Sequence, residues 1–284
     1  MKIEKILKSI WNELIYGGHL QPLGAASIVF VSGILLKIQI TWDVLFVTYI
    51  LFYPLFLYNR FKEIKMDCLT NSQRTQHIKK YIKFIPIILY LVIFILVISL
   101  IYFSNFRALI FGLLVLFFGF LYTIIFKKFT NKIPLFKDLY VASVFALLPF
   151  FLLVYYSYFL VSINVLLLSL LIFLESFLMP VFLDIKDIES DKREKLRTLP
   201  VMLGKEKTIV FLSIFNLIGT ITIMVFIFYL STLPKSILIL LFTVPFDFYC
   251  YILVKRQRRF GYILQGGKFI LWPFLIFLGK IILC

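Results

Sequence analysis

The chain has 284 residues, of which 62% are apolar and only 15% are charged, and 34 of them are phenylalanine. Soluble globular proteins average about 45–50% apolar and about 25% charged residues, so this composition excludes a water-soluble enzyme. The formal net charge of +16 would indicate nucleic-acid binding in a soluble protein, and its meaning here depends on where the basic residues lie.

Residues 1–16 have the pattern of an amphipathic helix at a membrane surface. Apolar side chains, among them Ile6, Ile10 and Trp11, share one face, and Lys5 and Lys8 lie on the polar side. Such a helix buries its apolar face in the interface, while its lysines attract an anionic leaflet. We therefore predict an interfacial helix within residues 1–20, ahead of the first membrane span.

Nine apolar runs are long enough to cross a bilayer as helices, which takes about 20 residues each. Backbone groups in lipid must be satisfied within the segment, and the sequence lacks the alternation of a membrane barrel, so these runs predict helices. The predicted spans are 22–39, 42–58, 84–103, 107–126, 138–158, 162–183, 208–231, 235–254 and 267–284. The sequence thus predicts an all-α membrane protein with nine transmembrane helices, as a single domain over residues 1–284.

The basic residues alternate between the two sides of this topology. The N-terminal segment and the loops after spans 2, 4, 6 and 8 hold 26 of the 30 lysines and arginines, with Lys137 and Lys268 counted among the loop residues. The opposite side keeps four: Lys37, Arg107, Lys235 and Lys280. Because loops rich in Lys and Arg stay in the cytoplasm, the split predicts a multi-pass protein of the cell membrane with a cytoplasmic N-terminus. The positive charge is then explained by the orientation of the protein in the membrane, and we expect no nucleic-acid partner.

The few carboxylates form two clusters at the cytoplasmic ends of spans 2 and 6. Asn59, Glu63 and Asp67 are spaced i, i+4 and i+8, so a helix that continues beyond span 2 places them on one face. The second cluster follows span 6 with the spacing i, i+3 and i+7: Asp184, Asp187 and Asp191.

Two acidic helix ends at one membrane boundary repel each other unless a cation lies between them. Hard oxygen ligands suit Mg²⁺, which commonly binds one or two carboxylates together with phosphate oxygens. This favours a Mg²⁺ site with a diphosphate substrate, near basic residues that could hold the phosphates: Arg74, Lys127, Lys128, Lys195 and Arg197. The alternative is that these acids are ordinary juxtamembrane charges paired with lysines.

The first cluster resembles a motif of the UbiA superfamily of intramembrane prenyltransferases. The family pattern Asn-x-x-x-Asp-x-x-x-Asp after helix 2 is similar to Asn59-x-x-x-Glu63-x-x-x-Asp67, where Glu63 stands in place of the first aspartate. The stretch Asn71-Ser-Gln-Arg74 is similar to the Asn-x-x-Arg that follows in the family.

The second cluster resembles the second family motif, Asp-x-x-x-Asp after helix 6 with another Asp three residues earlier. Arg197-Thr-Leu-Pro-Val-x-x-Gly204 follows it, as in the family, and Tyr122 with Lys127-Lys128 resembles the loop after helix 4. The family's Tyr-x-x-x-Lys pattern would place a lysine at position 126, where this chain has Phe126. The resemblance covers essentially the whole chain.

This resemblance implies nine transmembrane helices that enclose a central cavity under cytoplasmic cap loops, with the active site on the cytoplasmic side. It implies transfer of a polyprenyl group from an allylic polyprenyl diphosphate to a small acceptor, an aromatic compound or another lipid precursor, within membrane lipid. The implied Mg²⁺ ligands are Asn59, Glu63, Asp67, Asp184, Asp187 and Asp191. Arg74, Lys127, Lys128 and Arg197 would bind the diphosphate, and the implied catalytic residues are Asp67, Asp187, Asp191 and Tyr122, which orients a phosphate or faces the allylic cation.

Three further polar residues lie within or near the spans. Glu175 either lines the acceptor pocket or has a structural role, Asp247 serves helix packing or a cavity, and His19 is interpreted as structural.

Two other functions compete with prenyl transfer: a polytopic transporter and a CDP-alcohol-type phosphotransferase. A transporter typically has ionisable residues or broken helices near the midplane, whereas the acids here concentrate at one interface. The phosphotransferase signature needs Asp-Gly and Ala-Arg, which do not occur around Asp184.

Overall fold

The computed structural model describes residues 2–158 and 160–283. Residue 1, where the predicted interfacial helix begins, and residue 284, where the predicted ninth span ends, lie outside the described residues. These residues form α-helices and short 3₁₀ segments, with no strand in the part described. The α-helices are α1 (Lys2–Tyr16), α2 (Leu20–Leu36), α3 (Trp42–Thr70), α4 (Ser72–Lys79), α5 (Ile85–Phe103), α6 (Phe106–Ile124), α7 (Phe136–Ala146), α8 (Leu148–Tyr155), α9 (Ile163–Leu183), α10 (Ile188–Arg193), α11 (Leu199–Leu203), α12 (Lys205–Leu230), α13 (Thr243–Lys255), α14 (Phe260–Gly266) and α15 (Lys268–Leu283). The 3₁₀ segments are Phe126–Asn131, Asp184–Asp187 and Lys235–Phe242.

The predicted membrane architecture is confirmed. Within the described residues, seven helical segments are long and apolar enough to cross a membrane, and the number rises to nine if each of two bent helix pairs counts as one span. The pairs are α1 with α2 and α14 with α15. Each predicted span overlaps with helix in the described residues; the fifth is divided into α7 and α8, and the eighth into a 3₁₀ segment and α13.

Helix α9 occupies the centre of the bundle, and the outer helices are exposed to lipid. Most of its side chains are buried, and it packs against α7, α12 and α14. Helices α5, α6 and α12 instead expose large apolar side chains such as Phe94, Phe117 and Phe226. An exposed apolar surface of this extent suits a hydrocarbon environment.

Helix α3 extends well beyond one membrane thickness. Its 29 residues measure about 44 Å at about 1.5 Å per residue, against a hydrocarbon core of about 30 Å. The final turns therefore project past the apolar zone and carry the first acidic cluster. The predicted shared face is observed, because the side-chain amide of Asn59 donates a hydrogen bond to Glu63 at 2.9 Å.

Helix α1 turns away from α2 by 75° and packs near α4. The turn uses Gly18, whose φ of +100° is rarely accessible to residues with a side chain. Ring nitrogens of His19 and His77 lie 3.1 and 2.7 Å from the two carboxylate oxygens of Glu13. His19 thus holds α1 in place, as its structural interpretation predicted.

A buried ion network joins the last helices to α9. The ammonium group of Lys268 lies 2.6 Å from Glu175 and 3.2 Å from Asp247, and all three side chains are at most 1% exposed. Asn216 donates a hydrogen bond to Asp247 at 2.9 Å, and the hydroxyl of Thr243 donates one to Glu175 at 3.1 Å. The sequence analysis counted Lys268 as a loop residue, and this was wrong, because its side chain is buried within the bundle. Glu175 and Asp247 both pair with it there.

Candidate active site

A cavity of about 180 Å³ lies between the projecting end of α3 and the turn that follows α9. We call it the carboxylate cavity. Nine of the twelve candidate site residues from the sequence line it: Asn59, Glu63, Asp67, Arg74, Tyr122, Lys127, Asp184, Asp187 and Asp191. The two acidic clusters, more than 100 residues apart in the chain, therefore face each other across one space.

The first cluster is balanced by two cations from other elements. Arg74, at the start of α4, forms an ion pair with Asp67. Lys127, in the 3₁₀ segment after α6, pairs with Glu63 and lies 2.8 Å from Glu194. Position 127 thus delivers the lysine to the cavity although the family pattern places it one residue earlier.

The second cluster is organised around Lys137, which sequence reasoning had counted only as a loop charge. Its ammonium group lies 2.9 Å from Asp184 and 3.1 Å from Asp191, and the residue is 9% exposed. The hydroxyl of Thr198 donates a second hydrogen bond to Asp191 at 3.1 Å. A buried cation and a hydroxyl therefore fix two of the three aspartates.

The residues that follow the first cluster are joined to the second cluster by hydrogen bonds. The side chains of Thr70 and Asn71 at the end of α3 donate to the same oxygen of Asp187, at 2.8 and 2.7 Å. The Asn-x-x-Arg stretch thus reaches both sides, because Asn71 binds Asp187 while Arg74 binds Asp67.

Burial and neighbouring charge oppose each other at the two cations outside the spans. Burial lowers the pKa of Lys127, but the carboxylates of Glu63 and Glu194 outweigh burial and raise the pKa above its usual value. Burial likewise lowers the pKa of Arg74, and Asp67 and Asp187 raise it above its usual value. Both side chains stay protonated and can donate to a phosphate oxygen.

The donor types in the cavity suit Mg²⁺, although the acids are engaged elsewhere. Among the described residues, no three His, Cys, Asp or Glu side chains converge closely enough to hold a metal ion as they stand. Several carboxylate oxygens are nevertheless buried without a hydrogen-bond partner: one of Asp184 and both of Asp138, a lining residue that sequence reasoning missed. Carboxylate oxygens, together with phosphate oxygens and water, are the ligands that Mg²⁺ usually takes, so the residues fit the ion by chemistry.

Three of the predicted phosphate-binding residues do not line the cavity. The side chains of Lys128, Lys195 and Arg197 are exposed. The backbone of Arg197 has a structural role, since its N–H donates to the carbonyl of Thr130 at 3.1 Å and its carbonyl accepts from Leu135 at 3.4 Å. Thr198, the next residue, makes the contact with the aspartates.

A second, apolar cavity of about 140 Å³ adjoins the carboxylate cavity. Asn59, Tyr122 and Val141 line both spaces. The remaining walls are largely aromatic and aliphatic: Phe52, Leu55, Phe56, Gly119, Thr123, Tyr140, Val144 and Phe145. The charged carboxylate cavity therefore adjoins an apolar cavity, and Tyr122 lies at the junction between them.

The helices and cavities define a multi-pass membrane protein in which a charged cavity adjoins an apolar one. Residues 80–278 match the model of the UbiA prenyltransferase family. The chain belongs to this family, whose members carry out prenyl transfer from a polyprenyl diphosphate within the membrane. This assignment selects prenyl transfer over the transporter and the phosphotransferase.

Solved structures share the fold at low sequence identity. The apo structure of a UbiA homologue from Aeropyrum pernix K1 is similar at a TM-score of 0.65, with 16% identity over 92% of this chain and 97% of that one. A structure from work on a digeranylgeranylglyceryl phosphate synthase in membranes has a TM-score of 0.57, with 16% identity over 97% of this chain and 98% of the other. No curated protein matches the sequence significantly.

Proposed function

We propose that this protein catalyses Mg²⁺-dependent transfer of a polyprenyl group from an allylic polyprenyl diphosphate to a small acceptor, with release of diphosphate. The observation that carries this proposal is the junction of the two cavities at Asn59, Tyr122 and Val141. A charged headgroup fits one space and an isoprenoid chain fits the other, so the allylic carbon lies between them.

Departure of the diphosphate is assisted by the basic residues of the carboxylate cavity. As the allylic C–O bond breaks, negative charge grows on the leaving oxygens, and donors already aimed at that place lower the barrier. Arg74, Lys127 and Lys137 are such donors, each held by carboxylates on at least one side. Mg²⁺ bound by Asn59, Glu63, Asp67, Asp184, Asp187 and Asp191 would neutralise the leaving diphosphate further.

The aromatic walls of the apolar cavity protect the allylic cation. Phe52, Phe56 and Phe145 surround the space next to Tyr122. Aromatic faces attract cations and at the same time exclude water, which would otherwise capture the reactive carbon. Tyr122 stacks on Tyr140, their ring centroids being 5.1 Å apart, so its position at the junction is fixed.

We further propose that residues 1–284 form one domain in the cell membrane with the carboxylate cavity on the cytoplasmic side. The loops at that end of the bundle carry most of the basic residues. Helix α1, with Ile6, Leu7, Ile10 and Trp11 exposed, would lie along the same interface.

The test is release of diphosphate from a series of allylic polyprenyl diphosphates by the purified protein in lipid nanodiscs, with products identified by mass. We expect release to need Mg²⁺, to stop on chelation, and to fall at least about 100-fold in Asp187→Asn. Glu206→Gln is the matched control, because Glu206 is an exposed acid at the start of α12 that lines neither cavity. Equal release by wild type and Asp187→Asn would overturn the proposal.

A further inference from the structure

The two halves of helix α1 differ in burial, and the reaction described so far does not use this helix. The side chains of residues 4–11 are exposed, whereas Ile15, near the C-terminal end, is buried. Four large apolar side chains of the first half are at least 50% exposed: Ile6, Leu7, Ile10 and Trp11. This half of the helix therefore presents an apolar surface that another surface can cover.

The C-terminal end of α1 is bonded to α4. The hydroxyl of Tyr16 donates a hydrogen bond of 2.6 Å to the side chain of Gln73. One carboxylate oxygen of Glu13 lies 2.7 Å from a ring nitrogen of His77. Gln73 and His77 are four residues apart in α4, so they lie on the same face of that helix. Two side chains of α1 thus hold one face of α4.

Helix α4 carries Arg74, one of the donors to the diphosphate, and it has only eight residues. A helix this short is marginal in isolation, so its position depends on tertiary contacts. Ile78 packs in a buried apolar cluster with Leu57 of α3, and Arg74 forms its ion pair with Asp67. The position of Arg74 therefore depends on α1 as well as on α3.

The exposed half of α1 suits an anionic membrane surface. Lys5 and Lys8 are exposed on the same half as the apolar side chains, and each lysine near an anionic leaflet favours binding by about fivefold. Helix α1 is bent by 75° from α2. Since α2 belongs to a membrane span, the docked α1 lies close to the plane of the membrane, which is the orientation in which such a helix contacts lipid.

Lipid contact and docking on α4 therefore favour each other. A helix confined to the membrane plane beside the bundle meets α4 at a higher effective concentration than a helix that moves freely in water. A lipid surface that binds the docked orientation more tightly shifts the equilibrium toward it.

We propose that α1 is a positioning element that responds to anionic lipid. Its exposed half binds anionic headgroups, and its C-terminal end then holds α4 where Arg74 reaches the diphosphate. The inference rests on the proposed function and adds regulation of the same site by the membrane. Glu13 and Tyr16 are positioning residues, because they act on the diphosphate through α4. Anionic lipid should then tighten diphosphate binding only while α1 and α4 are connected.

The test is a double-mutant cycle in lipid nanodiscs of phosphatidylcholine with about 30% phosphatidylglycerol. It measures the Kd of an unreactive allylic thiolodiphosphate in the presence of Mg²⁺. One arm, Lys5→Gln with Lys8→Gln, weakens the attraction to lipid. The other arm, Glu13→Gln with Tyr16→Phe, disconnects α1 from α4.

Arg256→Gln with Arg258→Gln is the matched control. It removes the same charge from two exposed arginines between α13 and α14, and its effect on Kd should be the same whether or not α1 is connected to α4. Quenching of Trp11 fluorescence by brominated lipid, with Trp11→Phe as the blank, reports contact of α1 with the leaflet. The lysine substitutions should reduce this quenching, and disconnection from α4 should not.

We expect the lysine substitutions to raise the Kd about fivefold in the otherwise wild-type protein and to have no effect once α1 is disconnected. In nanodiscs of phosphatidylcholine alone, they should have no effect in either background. If the disconnected protein does not fold, Tyr16→Phe alone removes one hydrogen bond and should reduce the effect of the lysine substitutions.

An equal rise in Kd in both backgrounds would show that the lysines act through charge alone and would overturn the inference. No rise in either background would overturn it as well. Failure of the wild type to bind the thiolodiphosphate in either lipid would instead count against the proposed function.

Discussion

The side-chain amide of Asn71 donates a hydrogen bond of 2.7 Å to Asp187 and so connects the end of α3 to the second acidic cluster. One partner follows α3 and the other precedes α10, so the bond fixes the distance between elements that are far apart in the chain.

Asn71→Ala should therefore reduce activity more than stability. Loss of one hydrogen bond to a partly buried group lowers the free energy of unfolding by about 1 kcal/mol, whereas an aspartate free to move costs about tenfold in diphosphate release. Steady-state release and chemical unfolding in mixed micelles provide the two measurements. Asn131→Ala, an exposed asparagine outside the cavities, is the control, and similar activity in both variants would contradict the positioning role.

Lys137→Met should be among the most destabilising single changes near the site. It leaves Asp184 and Asp191 buried without their shared cation, and loss of one partner of a buried ion pair costs about 3–5 kcal/mol. Unfolding of the purified protein measures the loss.

Two further variants check this reason. Lys132→Met, at an exposed lysine between the 3₁₀ segment Phe126–Asn131 and α7, should leave the free energy of unfolding unchanged. Lys137→Met combined with Asp184→Asn should recover part of the loss, because one of the unpaired charges is then removed. A double variant as unstable as Lys137→Met alone would argue against a charge effect.

Val144→Phe should shift the protein toward shorter allylic diphosphates. Val144 lines the apolar cavity, and a benzyl group in place of isopropyl fills part of its volume of about 140 Å³. We expect kcat/KM for long substrates to fall about tenfold relative to short ones. Leu139→Phe, on the exposed face of the same helix α7, should leave this ratio unchanged.

Docking of helix α1 should depend on pH through Glu13. The hydrogen bond from His19 is the main reason that the pKa of Glu13 falls from 4.5 to about 2, with His77 adding to it and burial opposing it. The stabilisation is therefore complete above about pH 4.5 and is lost as the pH falls toward 2. The difference in unfolding free energy between wild type and Glu13→Gln should shrink over this interval, and a constant difference would contradict the assignment.

The lengths of the apolar runs and the alternation of basic residues between the two sides were sufficient to predict the helical bundle. The reason is that the thickness of the hydrocarbon core fixes the length of a spanning helix. The spacing of Asn59, Glu63 and Asp67 also predicted their shared face correctly. What the sequence could not distinguish was the location of individual lysines: Lys137 and Lys268 have the same loop-like context as exposed Lys128. Burial depends on how α7 and α15 pack against α9, and a count of charges per loop contains no information about that packing.

The buried network of Glu175, Asp247 and Lys268 has a consequence for biosynthesis. The two acids belong to α9 and α13, and the cation that balances them belongs to α15, which is synthesised after both. Until α15 joins them, two carboxylates in the membrane have no counter-charge, which is unfavourable by about 2.5–3.5 kcal/mol for a residue at the helix centre. Packing of α9 and α13 therefore depends on synthesis of α15, and a nascent protein that stops before Lys268 remains an incompletely packed substrate for membrane quality control.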